Sequence, residues 1–104
     1  DVKVGSGAFM KNIEDARKLA ELMVKIGKQA GREVTAVLSN MDEPLGEMIG
    51  NSVEVKEAID TLRNHGPVGF TQLIKTLAAQ ALRMSEKGKV SAEEAEKKVD
   101  HFLL

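Results

Sequence analysis

Val34-Thr35-Ala36-Val37-Leu38 is short, rich in β-branched residues and nearly all apolar, and it follows a long helical pattern. Such a run suits a strand covered on both faces, because a strand with one wet face would alternate. Asp1 to Val4, half apolar, is compatible with the last residues of a parallel neighbour. Joined through a helix, the two form a strand–helix–strand unit with a right-handed crossover. Two strands do not make a self-sufficient sheet. The pattern therefore predicts part of a larger mixed-sheet α/β domain, or a chain with an obligate partner.

The intervening helix is predicted over Asn12 to Ala30. Asn12 is a good N-cap, and Asp15 stands where a capping-box acid would, although Asp is shorter than Glu. Ile13, Ala16, Ala20, Met23, Gly27 and Ala30 recur at helical spacing, with Leu19, Leu22 and Ile26 widening the stripe. Gly31 is a natural residue to end it.

Downstream the chain reads as helix throughout. One helix is predicted over Ser52 to Asn64, with Val53, Val55, Ala58, Ile59 and Leu62 inward, ended by His65-Gly66-Pro67. A second runs from about Val68 to Glu86, with Phe70, Leu73, Ile74, Leu77, Ala78, Ala81 and Leu82 on its apolar face, and Gly88 stops it. Ser91-Ala92-Glu93-Glu94 is a capping box opening a last helix with Ala95, Val99 and Phe102 inward. The organisation is thus a helix-rich α/β fragment: strand–helix–strand–loop over 1–50, then a helical part with three helices over 51–104.

Ser39 to Asn51 connects the halves and holds a Pro, two Gly and three acids. A loop about a dozen residues long exceeds most such connections, and loops of that length are often functional. In parallel sheets ligands gather beyond the carboxyl ends of strands. Both this loop and the Gly5-Ser6-Gly7-Ala8 turn stand there.

Composition narrows the classes. A formal net charge of −1 on 104 residues argues against nucleic acid, which needs a clustered basic face. No run approaches the roughly 20 apolar residues of a membrane span. There is no signal-peptide core, so the expected compartment is cytoplasmic. Without cysteine there is neither disulfide nor thiolate metal site. The chain opens without Met in what reads as a strand and closes on Phe102-Leu103-Leu104, so an internal piece of a longer protein is expected.

Candidate chemistry has bland counterparts. Gly5–Ala8 is a phosphate cradle or, more simply, a tight turn. Asp42, Glu43, Glu47, Glu54 and Glu57 suit a hard cation or are solvated loop and helix-start acids. Lys3, at a strand end, is the weak candidate for an anionic substrate, against an ordinary ion pair. His65 and His101 have no identifiable partner, and Ser6 and Ser39 have no neighbouring base. The methionines, at 10, 23, 41, 48 and 84, read as core filler. No residue is assigned to catalysis.

Two stretches carry a resemblance. Asp1-Val2-Lys3-Val4-Gly5-Ser6-Gly7-Ala8-Phe9-Met10 is similar to the strand and turn of pyrimidine-nucleoside and thymidine phosphorylases. Met41-Asp42-Glu43-Pro44-Leu45-Gly46, then Gly50-Asn51-Ser52-Val53-Glu54-Val55-Lys56-Glu57-Ala58, follows in order and at the right distance. The two motifs are specific together, and the likeness in layout covers essentially the whole chain.

The resemblance implies an internal segment of the large α/β domain of such an enzyme. The parent would cleave a pyrimidine nucleoside with phosphate as co-substrate, giving the free base and a (deoxy)ribose 1-phosphate, and would act as a homodimer. The family's phosphate loop and its pyrimidine-gripping residues lie upstream of Asp1, so the fragment itself is expected to be inactive. The family also implies a structural potassium ion held in part by the carbonyls of Leu45 and Met48 and the carboxylate of Glu57. Met48 replaces a commonly small residue, which a carbonyl ligand tolerates. The alternative is a stand-alone helical protein-binding module using the loop from Ser39.

Overall fold

The computed structural model describes residues 1–103. The element order is β1 (Val2–Val4), α1 (Ile13–Gln29), β2 (Leu38–Asn40), α2 (Asn51–Leu62), α3 (Val68–Ser85) and α4 (Ala92–Phe102). This is the helix-rich α/β arrangement that the pattern predicts. The chain divides into two compact units, Asp1–Pro44 and a second beginning at Leu45.

In the first unit, β1 and β2 pair in parallel, with Val2 opposite Leu38, Lys3 opposite Ser39 and Val4 opposite Asn40. The second strand therefore lies later than the Val34–Leu38 expected from β-propensity. The Val37 carbonyl still accepts from the Val2 N–H at 2.7 Å, but upstream of it the parallel register has no partner residue on β1. Val34 instead packs over α1, where a Cβ on Gly27 would collide with its side chain. Pairing, not propensity, sets the strand.

The α1 N-terminus is closed as its sequence suggests, with one difference. The Asn12 side chain accepts from the Asp15 N–H, and its amide nitrogen donates to the Asp15 carboxylate, both at 2.9 Å. Asp15 is one methylene short of the reach a capping-box Glu has to the backbone, and the side chain meets it instead. Only Ala16 and Ala20 of the helix are buried, while Ile13, Leu22, Met23 and Ile26 each stay more than half exposed.

The core of the second unit joins Ala79 of α3 to Val90, Ala95 and Val99, with Ala78 and Leu82 against it. Ala81 and Phe102, expected inward, are exposed, Phe102 at 71%. On α2 the expected polarity is inverted. Val55 and Leu62 are 60% and 58% exposed, whereas Glu57 and Thr61 are buried at 8% and 3%. These two polar residues are one turn apart, and the face they share is turned to backbone groups of their own unit. Methionines 23, 41 and 48 are exposed rather than core filler. No described helix is long and apolar enough to cross a membrane.

The Ser91 capping box forms in full: the Ser91 N–H donates to Glu94 at 2.9 Å and the Glu94 N–H donates to the Ser91 hydroxyl at 3.2 Å. The Ser91 backbone bond first, then the Ser91 side chain, hold the Glu94 carboxyl below its ordinary value of 4.5, with Lys98 and Lys97 assisting against slight desolvation. A carboxyl with a lower folded pKa stabilises the fold above its unfolded value and loses that share as the pH falls through the folded one. The thermal midpoint of a full-length Glu94→Gln variant is therefore expected below wild type at pH 7. The gap should close as the pH is lowered from 4.5. A gap independent of pH would remove Glu94 as its source.

Candidate functional site

Two clusters at the sequence-predicted positions are built from loop backbone, and each is complete within its own unit. The first is the Gly5–Ala8 turn. Its four N–H groups all donate internally: Gly5 to the Met10 carbonyl at 2.9 Å, Ser6 to Asp42 Oδ1 at 2.9 Å, Gly7 to the Met41 carbonyl at 2.9 Å and Ala8 to the Gly5 carbonyl at 3.0 Å. A phosphate cradle needs convergent free amides, and here none is left. The turn is a tight turn. Nor does it open a helix, since α1 begins at Ile13 behind its own Asn12 cap.

Asp42 is what closes it. Besides its carboxylate bond to the Ser6 N–H, its carbonyl accepts from the Ser6 hydroxyl at 3.2 Å, and its own N–H donates to Asn40 Oδ1 at 2.8 Å. The Lys11 ammonium takes the Ser6 carbonyl at 2.9 Å. Gly5 sits at φ 136°, and a Cβ there would lie 2.7 Å from the Asp42 nitrogen. Both the conformation and the space require glycine. Spacing leaves Asp42 as a hard-cation ligand or a solvated acid; the signal for its bond to Ser6 is long-range and invisible locally.

Lys3 lies on β1 with its ammonium 2.8 Å from Asp1 Oδ2. The pair is close but off the hydrogen-bonding direction, and the nitrogen has no other partner among the described residues and almost no solvent contact. The other Asp1 oxygen accepts from the Ser39 hydroxyl at 2.5 Å. A ligand would have to displace Asp1 to reach Lys3. His65 and His101 are both exposed; the His65 N–H donates to the Asp60 carbonyl at 2.8 Å.

The second cluster contains Leu45, Met48 and Glu57. The Glu57 carboxylate reaches from α2 into the loop, where its Oε2 accepts from the Glu47 N–H at 3.0 Å and the Met48 N–H at 3.1 Å. Oε1 has no hydrogen-bond partner among the described residues, and a Cβ on Gly46 would fall on it. The Leu45 and Met48 carbonyls likewise accept no hydrogen bond from the described residues. The Gly50 N–H is taken by Glu54 at 3.0 Å, which places Glu54 as a cap of α2. A cavity of about 310 Å³ lies alongside, lined by Glu47, Met48, Lys56, Glu57, Asp60 and His65 among others.

No three His, Cys, Asp or Glu side chains among the described residues come together in a way that could hold a metal ion. The acids expected as possible ligands are thus dispersed into separate structural roles. Left in this stretch are one carboxylate oxygen and two backbone carbonyls with no donor among the described residues. Hard monovalent and divalent cations take such oxygen donors, so the donor set fits potassium chemically as part of a site.

Below Glu57, the Thr61 hydroxyl donates to the Glu57 carbonyl at 2.8 Å, and a Cβ on Gly66 would strike Thr61. Sequence reasoning gives Gly66 only as a helix stop and misses Thr61, because a Thr on an apolar helix carries no functional signal.

Comparison with known proteins agrees with these motifs. Residues 1–103 match the family model described as "Glycosyl transferase family, a/b domain", and the chain belongs to that family. It is 47% identical over 103 residues to a thymidine phosphorylase of Metamycoplasma hominis, covering 99% of this chain and 38% of that relative. It is 50% identical over 93 residues to a pyrimidine-nucleoside phosphorylase of Staphylococcus aureus strain USA300, covering 89% of this chain and 22% of the relative. The chain thus spans well under half the length of these relatives.

The turn makes a ranked prediction in the full-length protein. Asp42→Ala should cost about 1 kcal/mol, the net worth of a hydrogen bond. Gly5→Ala should cost more, about 2–3 kcal/mol, since it adds backbone strain to overlap. Urea unfolding midpoints measure both, and an Asp42→Ala variant as stable as wild type would show that the turn closes without it.

Proposed function

We propose that this chain is an internal segment of the α/β domain of a pyrimidine-nucleoside phosphorylase. The observation that carries the reading is the 47–50% identity to thymidine and pyrimidine-nucleoside phosphorylases across nearly all of this chain. In that reaction an oxygen of inorganic phosphate bonds to C1′ of the pentose as the C1′–N bond to the base breaks. The base leaves with the bonding pair and takes up a proton. The products are the free pyrimidine and a (deoxy)ribose 1-phosphate.

This segment supplies support rather than chemistry. Its Gly5–Ala8 turn has no free amide for phosphate, and no described His pairs with a carboxylate. Leu45, Met48 and Glu57 would hold a potassium ion together with residues from the rest of the enzyme. When bound, the ion supplies fixed positive charge that orders neighbouring loop backbone, a preorganising contribution. On the protein side, Glu57 contributes a negative charge kept out of bulk water, and the two carbonyls contribute dipoles that need no particular side chain. Met48 therefore serves as well as a smaller residue would. The full-length enzyme on this reading is a cytoplasmic homodimer. Family membership supports it over a stand-alone helical binding module.

Purified full-length enzyme is expected to release uracil or thymine from the nucleoside only when phosphate is present, while the 104-residue chain releases none. Base release by the short chain alone would mean that the reacting groups lie within it, contrary to this assignment. Potassium should raise the thermal midpoint of the full-length enzyme, and the same titration of Glu57→Gln should give a much smaller rise. Equal responses would remove Glu57 from the ion site.

A further inference from the structure

The two oxygens of the Glu57 carboxylate stand in different surroundings. Oε2 accepts two consecutive loop amides, Glu47 and Met48, at 3.0 and 3.1 Å, while Oε1 accepts nothing among the described residues. Glu57 is only 8% exposed, yet Oε1 is not sealed from solvent: it faces outward without a protein donor, beside the cavity that Glu57 helps to line. Gly46 is the neighbour that permits this. Its φ is one that any residue can adopt, so its lack of a side chain is not a backbone requirement; the Cβ it lacks would occupy the Oε1 position.

We propose that Glu57 is a positioning residue with divided duties, and that Gly46 enforces the division. Oε2 latches the loop through the Glu47 and Met48 amides whether or not an ion is present. Oε1 is kept clear by Gly46 as the single oxygen that Glu57 offers a cation. The first duty stands on hydrogen bonds within this chain; the second rests on the ion reading given above. The latch also turns the chain at Glu47 and Met48 so that amides point to the carboxylate. Because a peptide N–H shares its plane with the preceding carbonyl, the latch fixes the two peptide planes on either side of Glu47, between the Leu45 and Met48 carbonyls.

The duties separate by substitution in the full-length enzyme. Glu57→Gln retains a carbonyl oxygen able to accept both amides but presents an NH₂ where Oε1 was. Glu57→Ala removes both functions. Gly46→Ala leaves the carboxylate but denies it the space. Hydrogen exchange of the Glu47 and Met48 amides in potassium-free buffer reads the latch; the potassium-induced shift of thermal midpoint reads the ion. In Glu57→Ala the two amides should exchange at least about tenfold faster than in wild type, as the loss of a bond to a charged acceptor requires. Gly46→Ala should show the same direction, with its potassium shift lost. Glu57→Gln should keep exchange within about threefold of wild type and lose the potassium shift.

Amides that exchange equally in wild type and Glu57→Ala would overturn the latch. A Gly46→Ala variant with a wild-type potassium shift would overturn the role given to Gly46. If wild type itself shows no potassium shift, the ion falls and with it the duty given to Oε1, while the exchange comparison still decides the latch. If Glu57→Ala is too unstable to purify, Gly46→Ala carries the exchange comparison, and wild-type exchange in it would overturn the latch.

Discussion

A carboxylate taken out of water must be given donors, and Glu57 is the residue at which this chain meets that demand. Burying an unpaired charge costs far more than a single hydrogen bond returns. The loop from Leu45 answers with two consecutive amides on one oxygen. Several nearby features follow. Gly46 has no side chain because the carboxylate fills the space. Thr61, one turn on, binds the Glu57 carbonyl and packs against Gly66, so the polar edge of α2 is lined by backbone and small residues.

The apolar residues of α2 and α1 complete the picture from the other side. Amphipathic spacing assigned Val55, Leu62, Ile13, Leu22 and Ile26 to a core, yet all are more than half exposed. No large side chain in the described chain is fully buried; the core consists of alanines and valines. A chain of this size buries a limited fraction of its surface even when it is a complete domain. This one spans 38% and 22% of the two relatives named above. Periodicity correctly reports which faces are apolar. It does not report whether the elements that would cover them belong to the same stretch of sequence.

Legibility in the sequence follows the range of the interaction. Element order, the Asn12 and Ser91 caps and the helix stops near Gly31, Gly66 and Gly88 all rest on contacts within a few residues, and all were readable. β2 begins four residues later than β-branched composition predicts, because composition is local, whereas the Val2–Val37 and Val2–Leu38 pairing is not. Neither the cation nor the solvated reading of Asp42 contains its bond to Ser6, because that partner lies 36 positions away. Of the two readings of Gly5–Ala8, the tight turn holds and the phosphate cradle does not, for a related reason. A glycine turn supplies amides, but only the fold decides whether those amides are free, and here Asp42 and the Met10 and Met41 carbonyls take them.

The ion site proposed above would be made mostly of main chain, the hardest kind to find by inspection. Metal-ligand searches look for spaced His, Cys, Asp and Glu, and among the described residues no such group exists. Two carbonyls and one carboxylate leave a single side chain, Glu57, to notice, and its neighbours Glu47 and Glu54 look just as suitable in sequence. The structure separates them by what their atoms do. Glu54 caps a helix, Glu47 contributes only its amide, and Glu57 alone combines burial, paired donors on one oxygen and an open second oxygen. Selection on such a site would act on Gly46 and Glu57 as a pair, since either substitution disturbs the same oxygen. The identities of Leu45 and Met48 would be set by packing, because their contribution is a backbone oxygen that every residue carries.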